Sequence, residues 1–381
     1  MGGQNSFPIG LEGIAVAETV LSKVDGAAGR LIIAGEDVEN LAGRASFEEV
    51  AARLWAADGE PPAAHEVQSA LGRARQEAFL SISSLGDALD AADAMDALRA
   101  AVAHLTEEAR AAGPRWAAAA RITAAVAVFA AAWARRRAGA GPVPPDPSAG
   151  HARDYLSMLR GSGPAHREVD ALDTYFVTVV DHGLNASAFA ARVVASTGSD
   201  MVSAVTAAIG ALKGPLHGGA PGPVLDMLDH VGRPERAREW LGSELGARRR
   251  IMGMGHRVYR VRDPRAFVLE RAIERVQAAI ADDAAAPIAE RLELARAVER
   301  EATSLLAAAH PDRALRANVE FYTAILLEAI GIPRGLFSAT FAAARAAGWT
   351  AHVDEERRKG RLIRPSSLYV GPVPRGRAGP T

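Results

Sequence analysis

The stretch Ile251-Met-Gly-Met-Gly-His256-Arg-Val-Tyr-Arg260 sets a histidine after a glycine-rich turn, and Gly214-Pro-Leu-His217-Gly-Gly-Ala220 sets another between glycines. Glycine beside an imidazole lets the backbone and a ligand approach each other closely. Either histidine alone is typical of a loop residue next to turn glycines. Together with Asp263-Pro-Arg265 and Asn318-Val-Glu320-Phe-Tyr322 downstream, they form an ordered set that chance does not readily produce. This set decides our interpretation of the fold and indicates a ligand site.

These motifs resemble the active-site sequence of citrate synthases. The resemblance runs from Gly10-Leu-Glu-Gly13 through Asp181-His-Gly-Leu-Asn-Ala-Ser187 to Arg364-Pro-Ser-Ser-Leu-Tyr-Val-Gly-Pro372. Two early segments depart from it. Ile33-Ala-Gly35-Glu-Asp37 stands where such enzymes commonly have a Tyr-Arg-Gly-Tyr-Asp-like sequence, and Asp93-Ala94 stands where a His-Pro is often found. Both segments look structural, so they bear on the subfamily more than on the reaction type.

Composition limits the class of protein. The 381 residues are 49% hydrophobic, which is enough for a large core and about two domains. A formal net charge of -1 gives no general attraction to nucleic acid. The absence of cysteine excludes disulfides and thiol nucleophiles. No basic region precedes an apolar signal core at the N-terminus, so we expect a cytoplasmic protein that is not exported.

Apolar positions at helical spacing, together with abundant alanine, predict a mainly helical protein. The exception is a possible small hairpin formed by Thr19–Val24 and Arg30–Ala34. The most apolar stretch, Ile122–Ala134, is shorter than the roughly 20 residues that span a bilayer, and we interpret it as a buried helix. Charged Ala286–His310 is typical of a solvated amphipathic helix.

Local signals place the motifs relative to the helices. Ser46 and Glu49 have capping-box spacing, so a helix should begin there. A helix from about Asp200 should stop at Gly214-Pro215, with the glycine in a left-handed cap, which leaves His217 just beyond the helix end. Asp263 and Asn318 are predicted N-caps of two later helices. The segment Pro142-Val-Pro-Pro-Asp-Pro147 cannot continue a helix and is predicted to be a loop.

The resemblance implies the condensation of an acyl thioester with a keto acid, which requires removal of an α-proton and activation of a ketone. Glu320 is the candidate base, because a carboxylate in the first helical turn is favoured in its charged form by the helix dipole. By resemblance, His217 donates a hydrogen bond to the enol oxygen and His256 donates one to the ketone. From local sequence alone, Glu320 is more typical of an ordinary N-terminal helix glutamate, and the resemblance reverses that order.

A dicarboxylate substrate needs planar cationic groups, and arginine binds carboxylates through two parallel hydrogen bonds. The resemblance assigns the substrate-binding role to five residues: His182, Asn185, Arg265, Arg345 and, from the partner subunit of a homodimer, Arg364. It assigns the coenzyme A adenine to the backbone of Met252, Gly253, Met254 and Gly255, and a coenzyme A phosphate to Arg260. His182 is equally typical of a buried structural histidine. No permanently bound cofactor is implied, and without a carboxylate-histidine cluster at ligand spacing we expect no metal.

One departure concerns the base, since most citrate synthases carry aspartate where this chain has Glu320. The extra methylene displaces the carboxylate, and a misplacement of about 1 Å can cost on the order of 10² in rate. Three explanations stay open: the helix is set back to accommodate glutamate, the enzyme is slow, or condensation has been lost. The first is the most attractive, because glutamate retains the acid-base chemistry.

The prediction is therefore an all-α, citrate synthase-like, two-domain homodimer that joins acetyl-CoA to oxaloacetate and releases CoA and citrate. Residues 1–217 and 332–381 would form the large domain, and residues 218–331 a small domain that closes over the substrates. A 2-methylcitrate synthase that uses propionyl-CoA is the nearest alternative. A non-catalytic CoA-binding or regulatory relative on the same scaffold is the alternative from another class. No nucleic acid or membrane partner is expected.

Overall fold

The structure, a computed structural model, describes residues 9–11, 13–56, 59–106, 114–218, 221–280 and 282–372. Gly219 and Ala220 of the first histidine motif lie outside the described residues. The first eight helices are Val38–Leu41 (α1), Phe47–Ala56 (α2), Ala64–Ser81 (α3), Ala94–Ala103 (α4), Ala117–Arg137 (α5), His151–Arg160 (α6), His166–Val179 (α7) and Ala186–Ser196 (α8). The later ones are Met201–Lys213 (α9), Pro221–Val231 (α10), Ala237–Gly246 (α11), Pro264–Ala278 (α12), Asp282–Ala309 (α13), Val319–Ala329 (α14) and Phe337–Lys359 (α15).

A small antiparallel sheet precedes these helices. Its strands are Ser22–Asp25 (β1), Arg30–Ile33 (β2) and Glu36–Asp37 (β3), in the order β1-β2-β3. Ser22 pairs with Ile33 and Asp25 with Arg30, so a turn of four residues closes the β1–β2 hairpin. The all-α prediction with an N-terminal hairpin is confirmed, although the first strand begins later than predicted and a third strand is added.

Caps foreseen in the sequence define the helix starts that matter for the site. The Glu49 amide donates to Ser46 Oγ at 3.2 Å while Glu49 Oε2 accepts from the Ser46 amide at 2.6 Å, which is the predicted capping box. Asp263 caps α12 and Asn318 caps α14 through their side-chain oxygens. The predicted left-handed cap at Gly214 is wrong, because Gly214 has φ −57° and ψ 135°. The Gly214 carbonyl instead accepts from the His217 amide at 2.9 Å, in a turn that needs no positive φ.

Helix α15 runs through the core. Its buried side chains extend from Phe337 to Glu356 and cover nearly all sides of the helix, because it packs against α5, α8, α9, α2 and α7. Gly348 lies where a Cβ would overlap the Val180 carbonyl oxygen. The helix therefore approaches the segment after α7 at backbone distance, and its Arg345 and His352 side chains bond to Val179 and Asp181.

The apolar stretch predicted as a buried helix is the centre of α5. At 21 residues, α5 meets the length and hydropathy expected of a membrane span, and 83% of its most apolar window is buried inside the protein. The Pro142–Pro147 segment is a loop, as predicted. Asp93, at the second departure from the family pattern, caps α4 by accepting from the Met95 and Asp96 amides.

Candidate active site

His182 lies in the turn after α7 and is 9% exposed. Its Nε2 lies 3.2 Å from the Tyr259 hydroxyl, and its ring meets the His256 ring edge-on at 5.5 Å between centroids. Burial, followed by the nearby Arg265 guanidinium, lowers the pKa of His182 well below its usual 6.5. His182 is therefore a neutral imidazole that contacts the second histidine motif.

The His182 turn is clamped to α15. Arg345 Nε donates to the Val179 carbonyl at 2.5 Å, and His352 Nε2 lies 3.1 Å from Asp181 Oδ1. Burial opposes ionisation of Asp181, but His352 and the Arg345 charge outweigh it and lower the pKa of Asp181 to about 2. A buried carboxylate thus holds the turn from which His182 projects.

Ser187 holds His217 in place. The Ser187 amide donates to His217 Nε2 at 3.3 Å, and the Ser187 hydroxyl lies 2.8 Å from the same nitrogen. Trp349 Nε1 donates to that hydroxyl at 3.0 Å and so anchors it to α15. Because Nε2 accepts from an amide, the hydrogen of the neutral ring lies on Nδ1. Burial and then the charge of Arg345 lower the pKa of His217 to about 4, so the ring is neutral near pH 7.

His256 is oriented by its own turn. The amides of Val258 and Tyr259 both donate to its Nδ1, at 3.0 and 3.1 Å, so the ring hydrogen lies on Nε2. Burial and then the Arg265 charge lower the pKa of His256 to about 4, against the opposing effect of Asp263. Nε2 lies 3.4 Å from Arg265 Nη2. Both atoms carry hydrogens, so one acceptor oxygen between them would receive two hydrogen bonds.

Asp263 joins the starts of two helices. Its carboxylate accepts from the Arg265 amide at 3.0 Å in α12 and from the Val319 amide at 3.2 Å in α14. It also pairs with the Arg265 side chain through Nε at 3.0 Å and Nη2 at 2.8 Å. Arg265 is 3% exposed, so this bidentate pair holds a buried guanidinium beside His256.

The predicted coenzyme A turn is fastened to the start of α14. The Gly255 amide donates to the Arg316 carbonyl at 2.7 Å, and the Asn318 amide donates to the Gly253 carbonyl at 2.9 Å. Asn318 Nδ2 donates to the Gly255 carbonyl at 2.9 Å while Asn318 Oδ1 accepts from the Glu320 amide. Gly253 has φ +71°, and a Cβ there would meet Phe321 at 2.9 Å, so glycine is required. One residue, Asn318, therefore couples this turn to the helix of the candidate base.

The Glu320 side chain is half-buried and has no counter-ion among the described residues. No described residue forms a hydrogen bond or ion pair with its oxygens, whereas its amide is capped by Asn318. Burial raises the pKa of Glu320 from 4.5 to about 7, although the charges of Arg265 and Arg345 act in the opposite direction. Burial thus acts against the charged form that the helix dipole favours. The result is a carboxylate whose pKa suits a general base near neutral pH.

Arg345 brings a second buried guanidinium to the site and is 1% exposed. Its Nε donates to the Val179 carbonyl. The guanidinium carbon lies 4.6 Å from the centroid of the Phe341 ring. No described residue forms a hydrogen bond with Nη1 or Nη2. Burial lowers the pKa of Arg345 to about 10, with Asp181 opposing. Its charge in turn acts on the pKa values of Glu320, His182 and His217, so these groups share one electrostatic environment.

Three predicted residues lie differently. Asn185 is the N-cap of α8, and its Oδ1 accepts from the Ser187 and Ala188 amides at 3.1 Å each. Arg260 and Arg364 are exposed. Arg364 lies in the tail after α15, where it lines a cavity of about 490 Å³ together with Arg192 and Lys359. Within one chain, Arg364 does not join His182, His256 and Glu320.

Comparison with known proteins points to one family. A family profile described as "Citrate synthase, C-terminal domain" matches residues 10–366.

The chain belongs to the citrate synthase family.

Several family members resemble it over most of their length. Citrate synthase of Haloferax volcanii is 38% identical over 375 residues, which are 95% of this chain and 95% of that protein. The 2-methylcitrate synthase of Mycobacterium tuberculosis is 38% identical over 367 residues, which are 95% of this chain and 90% of that protein. Another Mycobacterium tuberculosis relative is 48% identical over 219 residues, and there the chain spans about half of the relative, 56% of its length. The family prediction is confirmed.

Solved structures agree on the fold. Citrate synthase of Thermotoga maritima superposes with a TM-score of 0.82 at 32% identity, covering 98% of both chains. Citrate synthase of Thermoplasma acidophilum, in a ternary complex with carboxymethyl coenzyme A and oxaloacetate, gives a TM-score of 0.84 at 28% identity and covers 97% of both chains. The predicted citrate synthase-like helical fold is confirmed.

Sequence reasoning missed three residues that support the histidines: Ser187, Tyr259 and Trp349. Ser187 and Tyr259 stand inside quoted motifs, so their position was a usable signal. Trp349 gave no local signal, because its contact with Ser187 joins positions 162 residues apart.

Proposed function

We propose that this citrate synthase family member condenses acetyl-CoA with oxaloacetate and releases citrate and CoA. The observation that carries the proposal is the Glu320 carboxylate, which pairs with no described residue and has a pKa of about 7, in one electrostatic environment with the neutral imidazoles of His217 and His256. Condensation requires this combination, since a base must remove the α-proton while donors stabilise oxygens that gain charge.

In the first step, Glu320 takes a proton from the methyl group of the thioester. The electron pair of the broken C–H bond moves toward the thioester oxygen, which Nδ1–H of His217 stabilises. A neutral imidazole can donate in this way without becoming acidic enough to lose its proton. The product is an enolate, hydrogen-bonded to His217, whose terminal carbon is nucleophilic.

In the second step, that carbon attacks the ketone of oxaloacetate and a C–C bond forms. The ketone oxygen becomes an alkoxide that accepts from Nε2–H of His256, and it takes up one proton, which balances the proton that Glu320 removed. The guanidinium groups of Arg265 and Arg345, together with His182, would hold the carboxylates. Asn185 would contribute through its cap of α8, which sets the position of Ser187. Water must then cleave the thioester, which gives citrate and CoA.

Coenzyme A would lie along Met252, Gly253, Met254 and Gly255, with Arg260 on a phosphate. The exposed position of Arg260 supports this role, because a phosphate group can reach it from solvent. The thioester is a substrate, and no permanently bound cofactor is required. The ternary complex of the Thermoplasma acidophilum enzyme with carboxymethyl coenzyme A and oxaloacetate supports the same pair of ligands here.

The assembly we propose is a cytoplasmic homodimer in which Arg364 completes the partner's keto-acid site. The exposed tail arginine, remote from the histidines of its own chain, supports this arrangement. Residues 218–331 would form the small domain that closes over the substrates, and residues 1–217 with 332–381 the large domain. Closure would exclude water until the enolate has reacted.

A 2-methylcitrate synthase activity is the second candidate, and the Mycobacterium tuberculosis relative of that name supports it. Propionyl-CoA differs by one methylene beside the reacting carbon, which a pocket distinguishes by only about 1–3 kcal/mol. Several acyl donors therefore have to be compared directly.

The test is a thiol-release assay with acetyl-, propionyl- and butyryl-CoA at saturating oxaloacetate. We expect the highest kcat/KM with acetyl-CoA. A preference for propionyl-CoA would favour the second candidate. Absence of thiol release with all three, from a folded protein that still binds CoA, would favour a non-catalytic relative.

The shared site is tested separately by mixing Arg364→Ala chains with inactive Glu320→Gln chains. Each heterodimer should contain one intact site and regain activity. If exchanged subunits form heterodimers and no activity returns, Arg364 does not act in the partner's site.

A further inference from the structure

The β1–β2 hairpin lies between the two loops that carry His182 and His256. The hairpin lies outside both histidine motifs, and its sequence predicts only a small sheet. Its two ends nevertheless contact the two loops through backbone atoms and short side chains. The hairpin is therefore in contact with both loops of the candidate site.

The first end is anchored to the His182 turn by Ser22. The Ser22 hydroxyl donates to Asp181 Oδ2 and accepts from the Gly183 amide at 2.7 Å. Gly183 has φ +57°, and a Cβ there would meet Val24 Cγ2 at 3.5 Å, so β1 packs directly on this turn. The residues on both sides of His182 thus bond to one serine.

The second end meets the loop after His256. The Arg260 amide donates to the Gly26 carbonyl at 2.9 Å. A Cβ at Gly26 would overlap the backbone carbonyl of Val258, and a Cβ at Gly29 would overlap Cγ2 of Val261. The hairpin turn therefore needs two residues without side chains to approach this loop.

The contacted backbone is the one that orients His256. The Val258 and Tyr259 amides donate to Nδ1 of His256 and direct its Nε2–H. Tyr259 also reaches back to His182 through its hydroxyl, at 3.2 Å. A shift of Val258 away from Gly26 would therefore move both the His256 ring and its contact with His182.

We propose that the β1–β2 hairpin sets the separation of His182 and His256, and that Ser22, Gly26 and Gly29 are positioning residues for the keto-acid subsite. The inference rests on the proposed function for its kinetic consequence. Its structural part, the bracing of residues 256–262 by the hairpin turn, does not depend on which substrate is used.

The experiment compares Gly26→Ala and Gly29→Ala with Gly35→Ala. Gly29 and Gly35 both have positive φ, 65° and 88°, so both alanines are strained, but a Cβ at Gly35 has nothing within 4 Å. Since a misplacement of about 1 Å can cost on the order of 10² in rate, we expect Gly26→Ala to lower kcat/KM for oxaloacetate at least about tenfold. Gly29→Ala should have a smaller effect, because the Val261 side chain can rotate. Gly35→Ala should lower only the thermal midpoint.

Ser22 is tested with Ser22→Ala and Ser22→Thr. Loss of the hydroxyl should raise KM for oxaloacetate more than it lowers kcat, and threonine should restore most of the loss. A purely structural role would lower the thermal midpoint without this split between KM and kcat.

Hydrogen–deuterium exchange of residues 256–262 supplies a readout that needs no turnover. Gly26→Ala should speed exchange there, and Gly35→Ala should leave it unchanged. If the parent enzyme releases no thiol, the proposed function fails while exchange still decides the inference about the hairpin. Parent-like exchange in Gly26→Ala, or parent-like kinetics in both Gly26→Ala and Ser22→Ala, would overturn that inference.

Discussion

Two buried clusters in this protein combine one arginine, one aspartate and one histidine. The structural cluster consists of Arg75, Asp154 and His151, and the candidate-site cluster consists of Arg265, Asp263 and His256. All six side chains except that of His256 are at most 4% exposed. The same three residue types therefore serve different ends in one molecule.

In the structural cluster, the hydrogen-bonding groups are used within the protein. Arg75 donates to Asp154 at 2.5 Å and to the Ala149 carbonyl at 2.7 Å, and its Nη1 lies 3.4 Å from His151 Nδ1. The His151 ring is fully buried and stacks on Phe47 at 4.8 Å between centroids. A hydrogen bond with the Ala343 backbone also acts on the pKa of His151, and no part of the ring is exposed to a ligand.

In and beside the candidate-site cluster, some hydrogen-bonding groups have no partner among the described residues. Asp263 bonds to Arg265 and to two helix starts. Nε2–H of His256 contacts Arg265 but has no acceptor among the described residues. The carboxylate of Glu320 has no donor among the described residues, since only its amide is capped. Burial lowers the pKa of both histidines, to about 3 for His151 and about 4 for His256. Residue type and desolvation thus do not distinguish the two clusters. The two clusters differ because hydrogen-bonding groups of the candidate site, on His256 and Glu320, are partly exposed and can meet a ligand.

The sharpest way to break this comparison is to remove the unpaired carboxylate. Glu320→Gln should lower turnover by about 10² to 10⁴, because an amide cannot take the α-proton. Thiol release measures the loss. Glu328→Gln, at the other end of α14 in a surface ion pair, is the matched control and should retain turnover. A Glu320→Gln enzyme as fast as the parent would show that Glu320 is not the base.

Glu320→Asp separates the explanations for glutamate at this position. If the helix is set back, the shorter side chain falls short of the α-carbon, and turnover should drop by up to about 10² with little change in oxaloacetate affinity. Steady-state kinetics and calorimetry report the two quantities. A faster aspartate variant would mean that glutamate is a disabling replacement on an unchanged scaffold.

Histidines from the two clusters should respond in opposite ways. His256→Ala, and likewise His217→Ala, should lower turnover by about 10² to 10³, since each removes a donor at a developing oxyanion. His151→Ala should leave turnover of the folded enzyme near normal and lower the thermal midpoint, because it opens a cavity under Phe47. Normal thiol release by a folded His256→Ala protein would remove His256 from the mechanism.

The paired cluster should contribute mainly to stability. Asp154→Asn leaves the buried Arg75 charge without its counter-ion, so the free energy of unfolding should fall by about 3–5 kcal/mol. Urea denaturation measures this change. Asp96→Asn removes a partly exposed partner of Arg99 and Lys213 and should have a much smaller effect. Equal losses in both variants would show that burial does not set the value of the Arg75 pair.

The smallest effect is a pH dependence. The pKa of Glu320 is raised to about 7, so the carboxyl is protonated below that pH and cannot accept a proton. We expect kcat/KM for acetyl-CoA to fall about tenfold per pH unit below pH 7. The histidines, with pKa values of about 4, stay neutral over this range. A profile that is flat down to pH 5.5 would mean that the helix dipole, not desolvation, controls Glu320.

Much of the fold and the site followed from local patterns. The capping signals at Ser46, Asp263 and Asn318 specified helix starts because a cap satisfies amides within three residues of itself. The resemblance of the histidine motifs to those of citrate synthases identified His182, His217, His256, Arg265 and Glu320, whose charges and rings act on one another in the structure. The predicted left-handed cap at Gly214 is wrong. Helix α9 ends in a turn in which the Gly214 carbonyl accepts from the His217 amide, and Gly214 has a negative φ.

The sequence by itself determined the family, the helical class and the chemical types in the site, since these depend on residue identity and short spacing. Only the tertiary structure decided which histidine nitrogen carries the hydrogen, because that depends on amides brought to each ring by folding. It also decided that Glu320 has a pKa of about 7 and that the β1–β2 hairpin touches both histidine loops. Desolvation and long-range packing are sums over residues distant in the chain, and no local pattern contains them.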